Sequence, residues 1–222
     1  MVSTGDSNLA KLRMGQRVSV FNTELEAGRI SEAELQLKKI SDEFPDYKWL
    51  YLLSAMLRAK QKRWGDVVKI VDDWKDANAA TRNLGYVMLK MPPTIPVQVQ
   101  FLYFDAKWHL NDREEVKSWA SNFAGYNAQD AISSGESEWV DSVQALDDAI
   151  KAASPEFLQD KDVKEAMITS YSKIADLYQQ SSKWREVIGI YQRVLKFAPD
   201  YAPAYSKIRE CYFALELNKE IL

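Results

Sequence analysis

Over most of the chain, apolar residues return every third or fourth position, the spacing that lines them along one face of an α-helix. The first such run extends from Leu9 to about Glu26, and Gly28 ends it as a residue free to take positive φ. Ser31 opens the next helix, with Glu34 three places on. That spacing predicts a capping box, in which the serine oxygen accepts a first-turn amide and the glutamate reaches back to the cap amide. Ala33, Leu35, Leu37 and Ile40 form its apolar stripe, and Pro45 stops it. Trp49 to Lys60 and Trp64 to Trp74 make a second pair, and a short helix is expected over residues 78–90.

The prolines of residues 91–96 forbid regular helix there, since proline lacks a donor and clashes with the preceding turn. Val97 to Leu110 is ambiguous: Val97, Val99, Phe101 and Tyr103 alternate as in a strand, yet the run is long and has no pairing partner, so helix is the reading taken. Asp112 with Glu115 predicts a capping box into Arg113–Phe123. Gly125, Asn127, Ser133, Ser134, Gly135 and Ser137 mark 125–138 as a loop. Helical periodicity returns from Trp139 to Ala153. Ser154 then caps a helix with Pro155 at its first position, and Asp162 with Glu165 opens a long helix to about Gln180. Trp184 to Phe197, closed by Pro199, and Ala202 to about Leu217 complete the chain. The expected organisation is a flexible 1–8, helical repeats over 9–124, a loop at 125–138, and further repeats with a capping helix over 139–222.

Aligning Pro45 with Pro199 exposes self-similarity. Before Pro199 stand Tyr171, Ile174, Ala175, Tyr178, Trp184, Val187, Tyr191 and Val194; the corresponding places before Pro45 hold Arg17, Val20, Phe21, Glu24, Ile30, Ala33, Leu37 and Ile40. The stretch YSKIADLYQQSSKWREVIGIYQRVLKFAPDY resembles the tetratricopeptide repeat, a family of 34-residue units each made of two antiparallel helices. It departs from the family at Ala175, where glycine is usual, and at Val187 and Val194, where alanine is usual. Small residues at Ala33, Ala55 and Ala175 suit the close crossing of paired helices. Tyr205, Ile208 and Tyr212 repeat the phase of Tyr171, Ile174 and Tyr178. Pro199 follows Pro45 by 154 positions, about half a unit more than four units, and the 91–96 and 125–138 segments are the places to absorb the excess. The fold class expected is therefore all-α: an α-solenoid of antiparallel helix pairs, irregular in the middle.

Composition narrows the function. Apolar residues at 46% and charged residues at 27% suit a folded chain of 222 residues. A formal net charge of -3 argues against a nucleic-acid binder. No apolar stretch reaches the ~18 residues that span a bilayer, so no membrane insertion is expected. A lone cysteine, Cys211, permits no internal disulfide; it reads as a small buried residue, and the default placement is cytoplasmic. One histidine, His109, and one cysteine make a metal site or cofactor chemistry improbable, and a Ser–His–Asp arrangement would have to use His109 with no elbow motif to present the serine. The pairs Asp72–Asp73 and Asp147–Asp148 read as solvated carboxylates. Trp49, Tyr103, Trp108, Trp119 and Trp139 are either packing for irregular helices or an exposed anchor surface for a partner.

The resemblance implies a groove lined by the first helix of each unit. Carried onto this chain, its residues are Asn22, Trp49, Leu53, Met56, Lys60, Ser172, Lys173, Asp176, Gln179 and Lys207. The family's chaperone-tail binders clamp two carboxylates with Lys and Asn. Asn22 matches one place, but Val18 stands where lysine is expected and Asp176 brings the wrong charge, so that specificity is not assigned. The function expected is a non-catalytic adaptor that binds a peptide or helix of another protein. The alternative is a structural subunit of a permanent homo- or hetero-oligomer.

Overall fold

The computed structural model of the chain describes residues 4–77, 96–133 and 136–220. Among them there are eleven helices and no strand. No described helix is long and apolar enough to cross a membrane. The chain separates into two compact units, Met1–Leu89 and Lys90–Leu222. The helix expected over 78–90 and the proline segment up to Ile95 lie outside the described residues.

The first unit holds α1 (Thr4–Glu26), α2 (Ile30–Glu43), α3 (Leu50–Lys60) and α4 (Trp64–Ala77), each packed on the next. Helix begins at Thr4, so the expected flexible 1–8 is helical over most of its length. Phe21, Leu25, Ala33, Ile40, Leu53 and Leu57 form the core, with Val18, Ile30, Leu37 and Met56 packed against it. Ala33 and Ala55 are both wholly buried, which lets neighbouring backbones approach where a larger side chain would hold them apart.

The second unit holds α5 (Val97–His109), α6 (Arg113–Ser133), α7 (Glu136–Ala152), α8 (Pro155–Leu158), α9 (Lys161–Gln180), α10 (Trp184–Phe197) and α11 (Ala202–Glu220). Helix α5 is buried at every position from Val99 to Ala106 except Gln100. A helix enclosed on all sides needs no polar stripe, and this is why its sequence carries no clean 3.6-residue period. The loop expected at 125–138 is instead helix to Ser133, with α7 starting at Glu136. Glycine and serine inside a helix each cost ~1 kcal/mol or less, and the packing of α6 along α9 outweighs this. The two compact units meet at 89/90.

Among the described residues one turn recurs four times. Gly28, Lys62, Asn111 and Ser182 take φ of 72°, 57°, 68° and 56°. In each case the next residue's amide reaches back to the carbonyl five positions earlier: Arg29 to Glu24, Arg63 to Arg58, Asp112 to Lys107 and Lys183 to Tyr178, all at 2.9 Å. This is the Schellman ending, which satisfies carbonyls that the helix leaves open. Each turn leads straight into the second helix of a pair: α1–α2, α3–α4, α5–α6 and α9–α10. Lys62 follows Gly28 by 34 positions (62 less 28) and Ser182 follows Asn111 by 71 (182 less 111), the larger interval taking in α7 and α8. The exits of α2 and α10 also match. Phe44 and Ala198 have φ, ψ of -136°, 63° and -133°, 66°, and Tyr47 and Tyr201 donate back to Phe44 and Ala198 across the Pro-Asp of each turn.

Two expected caps differ from the sequence reading. Ile30 is already helical, with Arg29 at the N-cap and no side-chain cap bond, so the Ser31–Glu34 capping box does not form. Glu34 pairs with Arg58 of α3 instead, at 3.1 Å. The long helix α9 is capped by Asp160, which accepts from the amides of Asp162 and Val163, rather than by Asp162. The Ser154 cap with Pro155 at the first position forms as the sequence indicates.

Candidate functional site

The ten residues carried over from the repeat family divide between the units. Asn22 lies on α1, Trp49 at the N-cap of α3, and Leu53, Met56 and Lys60 along α3. Leu53 is 4% exposed and belongs to the core, so it is not presented to a ligand. Met56 packs against that core, and Lys60 is exposed. The Lys48 ammonium lies 4.8 Å over the half-buried Trp49 ring, whose centroid is 6.1 Å from that of Tyr51. Tyr51 in turn stacks on Trp74 of α4 at 4.5 Å. Burial pushes the Tyr51 hydroxyl up to about 12. Among the described residues that hydroxyl and the Asn22 Oδ1 have no hydrogen-bond partner.

Ser172, Lys173, Asp176 and Gln179 lie on α9 and Lys207 on α11. Asp176 is exposed, and the others are half-buried. Lys207 Nζ is 3.4 Å from Glu210 one turn on. Beside α1 and α2, Arg13, Gln16, Arg17, Val20, Gln36 and Glu43 line a groove of about 400 Å³, in which Arg17 is already tied to Glu43 at 2.5 Å.

The structure gathers groups that the sequence reading left apart. Asp105 of α5, 1% exposed, accepts from the Ser154 amide at 2.7 Å and the Ser154 hydroxyl at 2.6 Å. His109 Nε2 stands 3.1 Å from Ser154 Oγ and 3.4 Å from Asp105 Oδ1. A nucleophile–base relay needs the imidazole between hydroxyl and carboxylate, using a different ring nitrogen for each. Here one nitrogen meets both, and the hydroxyl bonds the carboxylate directly while capping α8 through the Phe157 amide. This is the wiring of a helix cap. Burial pushes the Asp105 carboxyl up, against the two Ser154 bonds that pull it down.

The next cap is held from the same helix. Trp108 Nε1 donates to Asp160 at 3.0 Å, and the Arg113 guanidinium lies 3.7 Å over the Trp108 ring and 3.7 Å from Asp160. One end of α5 thus fixes the N-caps of both α8 and α9. Asp147 of α7, expected to be solvated, accepts from the Tyr171 hydroxyl at 2.7 Å and Arg193 Nε at 2.9 Å. Burial foremost, then the bond to Asp147, holds the Tyr171 phenol well above its ordinary range. Of the aromatic residues left open by the sequence, Tyr103 and Trp119 are core, and Trp139 meets Tyr178 edge-on at 5.2 Å. Cys211 is buried at 2% exposure. Among the described residues no group of three or more His, Cys, Asp or Glu is placed to hold a metal ion.

Comparison with known proteins finds no family model, no curated protein and no solved structure that matches this chain.

Proposed function

We propose that this protein is a non-catalytic scaffold that binds a peptide or helix of another protein along a face made by the first helices of successive tetratricopeptide-like pairs. The observation that carries the reading is the repeated turn: Gly28 and Lys62 stand 34 positions apart, the length of one such repeat, and each feeds a 14-residue second helix. Burial repeats in register as well. Ala33, Val67 and Val187 are wholly buried at the fourth position of their helices. Repeat pairs of this kind leave one face of their first helices to a ligand, which can lie in it as an amphipathic helix or extended segment.

In the first unit that face would use Asn22, Trp49, Met56 and Lys60, without Leu53. In the second unit it would use Ser172, Lys173, Asp176, Gln179 and Lys207. The scaffold would work without a cofactor, in the cytoplasm. Peptides selected from a random library on the intact chain should bind saturably in a calorimetric titration, and Trp49→Ala should weaken them about tenfold or more, as expected for an aromatic anchor. Lys173→Glu reads the second unit in the same way. Selected peptides whose affinity is unchanged in both variants would remove this face.

A second reading, a subunit of a permanent assembly, is favoured by one observation. Tyr205, Tyr212 and Phe213 of α11 are 55%, 52% and 59% exposed. Light scattering at tens of micromolar decides it: a dimer or larger species supports assembly, a monomer opposes self-assembly through α11.

A further inference from the structure

Helix α11 follows α10 as α3 follows α2, since the Phe44 and Ala198 exits that lead into them match. On the repeat reading it takes the place of a first helix, and its residues compare with those of α9, 34 positions earlier (205 less 171). On α9 the face at Tyr171, Ile174, Ala175 and Tyr178 is buried. Tyr171 lies 6.1 Å from Phe197 of α10, and Tyr178 meets Trp139 of α7. The same places on α11 hold Tyr205, Ile208, Arg209 and Tyr212. Tyr205, Tyr212 and the adjoining Phe213 are each more than half exposed, and Arg209 is exposed as well. Helix α11 packs on α10 through another side, where Ala204 and Cys211 are buried. The face that is closed on α9 is thus open on α11 among the described residues.

We propose that this face binds the same face of a second copy of the chain, two α11 helices pairing antiparallel about a two-fold axis at Tyr212–Phe213. This rests on the assembly reading given above and names its partner. The charges on the face select the occupant. Arg209 stands where α9 has the small Ala175, so it holds off a helix as near as α10 is to α9 and calls for a carboxylate. Glu216 offers one seven positions on, two turns along the same face. Among the described residues neither side chain is held in an ion pair, whereas Lys207 on the flank is paired with Glu210. In the antiparallel pair each copy's Arg209 lies opposite the other's Glu216, and Tyr212 of each meets Phe213 of the other. Parallel pairing would set Arg209 on Arg209 and Glu216 on Glu216, which repels. The antiparallel contact uses the same patch on both copies and therefore closes at two. Three partly exposed aromatic side chains offer less than the roughly 800 Å² per partner of a standard interface, so the dimer is weak.

Sedimentation velocity of the full chain, from about 1 to 100 µM, tests the pairing. The wild type should dimerise reversibly with a dissociation constant on the order of 10–100 µM. Arg209→Glu and Glu216→Arg should each weaken the dimer at least about tenfold, because each sets like charges together. The double variant Arg209→Glu/Glu216→Arg should return to within about threefold of the wild type, since it only exchanges the two partners of each pair. Both side chains are exposed, so neither change disturbs the packing of α11 on α10. Dimers of equal strength in the wild type and the single variants, or a double variant as weak as the singles, overturn this pairing and leave assembly to another surface. Species larger than a dimer overturn the closed two-fold contact. A monomer throughout the range overturns both the pairing and the reading of α11 as an assembly surface.

Discussion

Phe101→Ala lowers the unfolding free energy by about 3–5 kcal/mol, the cost of emptying a large aromatic site that cannot close. Phe101 is wholly buried at the meeting of three helices. Its ring meets Trp119 and Phe123 of α6 edge-on at 5.2 and 5.3 Å and Phe157 of α8 at 6.2 Å. Those neighbours are themselves fixed, since Trp119 stacks on Phe104 at 4.6 Å and donates to Gln100 at 3.2 Å. The surroundings therefore have little freedom to collapse into the space. Urea unfolding followed by tryptophan fluorescence measures the loss, with Phe213→Ala as the comparison. That side chain is 59% exposed, and its removal should cost within about 0.5 kcal/mol. Equal shifts for the two variants would mean that the α5–α6–α8 aromatic cluster is not packed as described.

Asp105→Ala should cost about 2–3 kcal/mol, because it strands two Ser154 donors in a site with little water. Asp105→Asn keeps an acceptor and should cost less. The same pair of variants carries a pH signature. Burial raises the folded-state Asp105 carboxyl, so folding favours its protonated form. The stability this lends is present below the unfolded carboxyl's range and is lost as pH rises through the raised folded value. The wild type should thus lose stability relative to Asp105→Asn as the solution is taken from acid toward neutral. A constant difference across that range would mean that the carboxyl is not desolvated.

The sequence made the helices legible where a polar face accompanies an apolar one. Helix α10 and the Pro45 and Pro199 exits are of this kind, because half-exposed helices must carry the 3.6-residue period. Helix α5 defeated that reading since burial on all sides erases the period, and its length and the lack of a pairing partner argued against a strand. The turns were legible at Gly28, where the residue type states its conformation, and hidden at Lys62 and Ser182, where side chains that rarely take positive φ occupy the same geometry. The 125–138 stretch misled because propensity is a weak local term that long helix–helix contact overrides.

The candidate site was legible only as positions on first helices. What the sequence could not show is which of those positions the fold consumes. Leu53 falls to the core of its own unit, while Tyr171 and Tyr178, positions of the repeat pattern, meet Asp147 and Trp139 of α7. Nor could it place Asp105, His109 and Ser154 together, since 49 positions separate the aspartate from the serine. Asp105 did carry one usable signal, an acid within an otherwise apolar run from Phe101 to Ala106. A buried carboxylate needs fixed donors, and the Ser154 cap is a source of two.

The ligand face is most directly tested by finding where a bound peptide lies. A library-selected peptide carrying a photo-reactive group, cross-linked to the intact chain and mapped by mass spectrometry, should form adducts on α1 and α3 around Trp49, Met56 and Lys60. Adducts confined to the second helices α2 and α4, or no peptide enriched at all, would contradict the account.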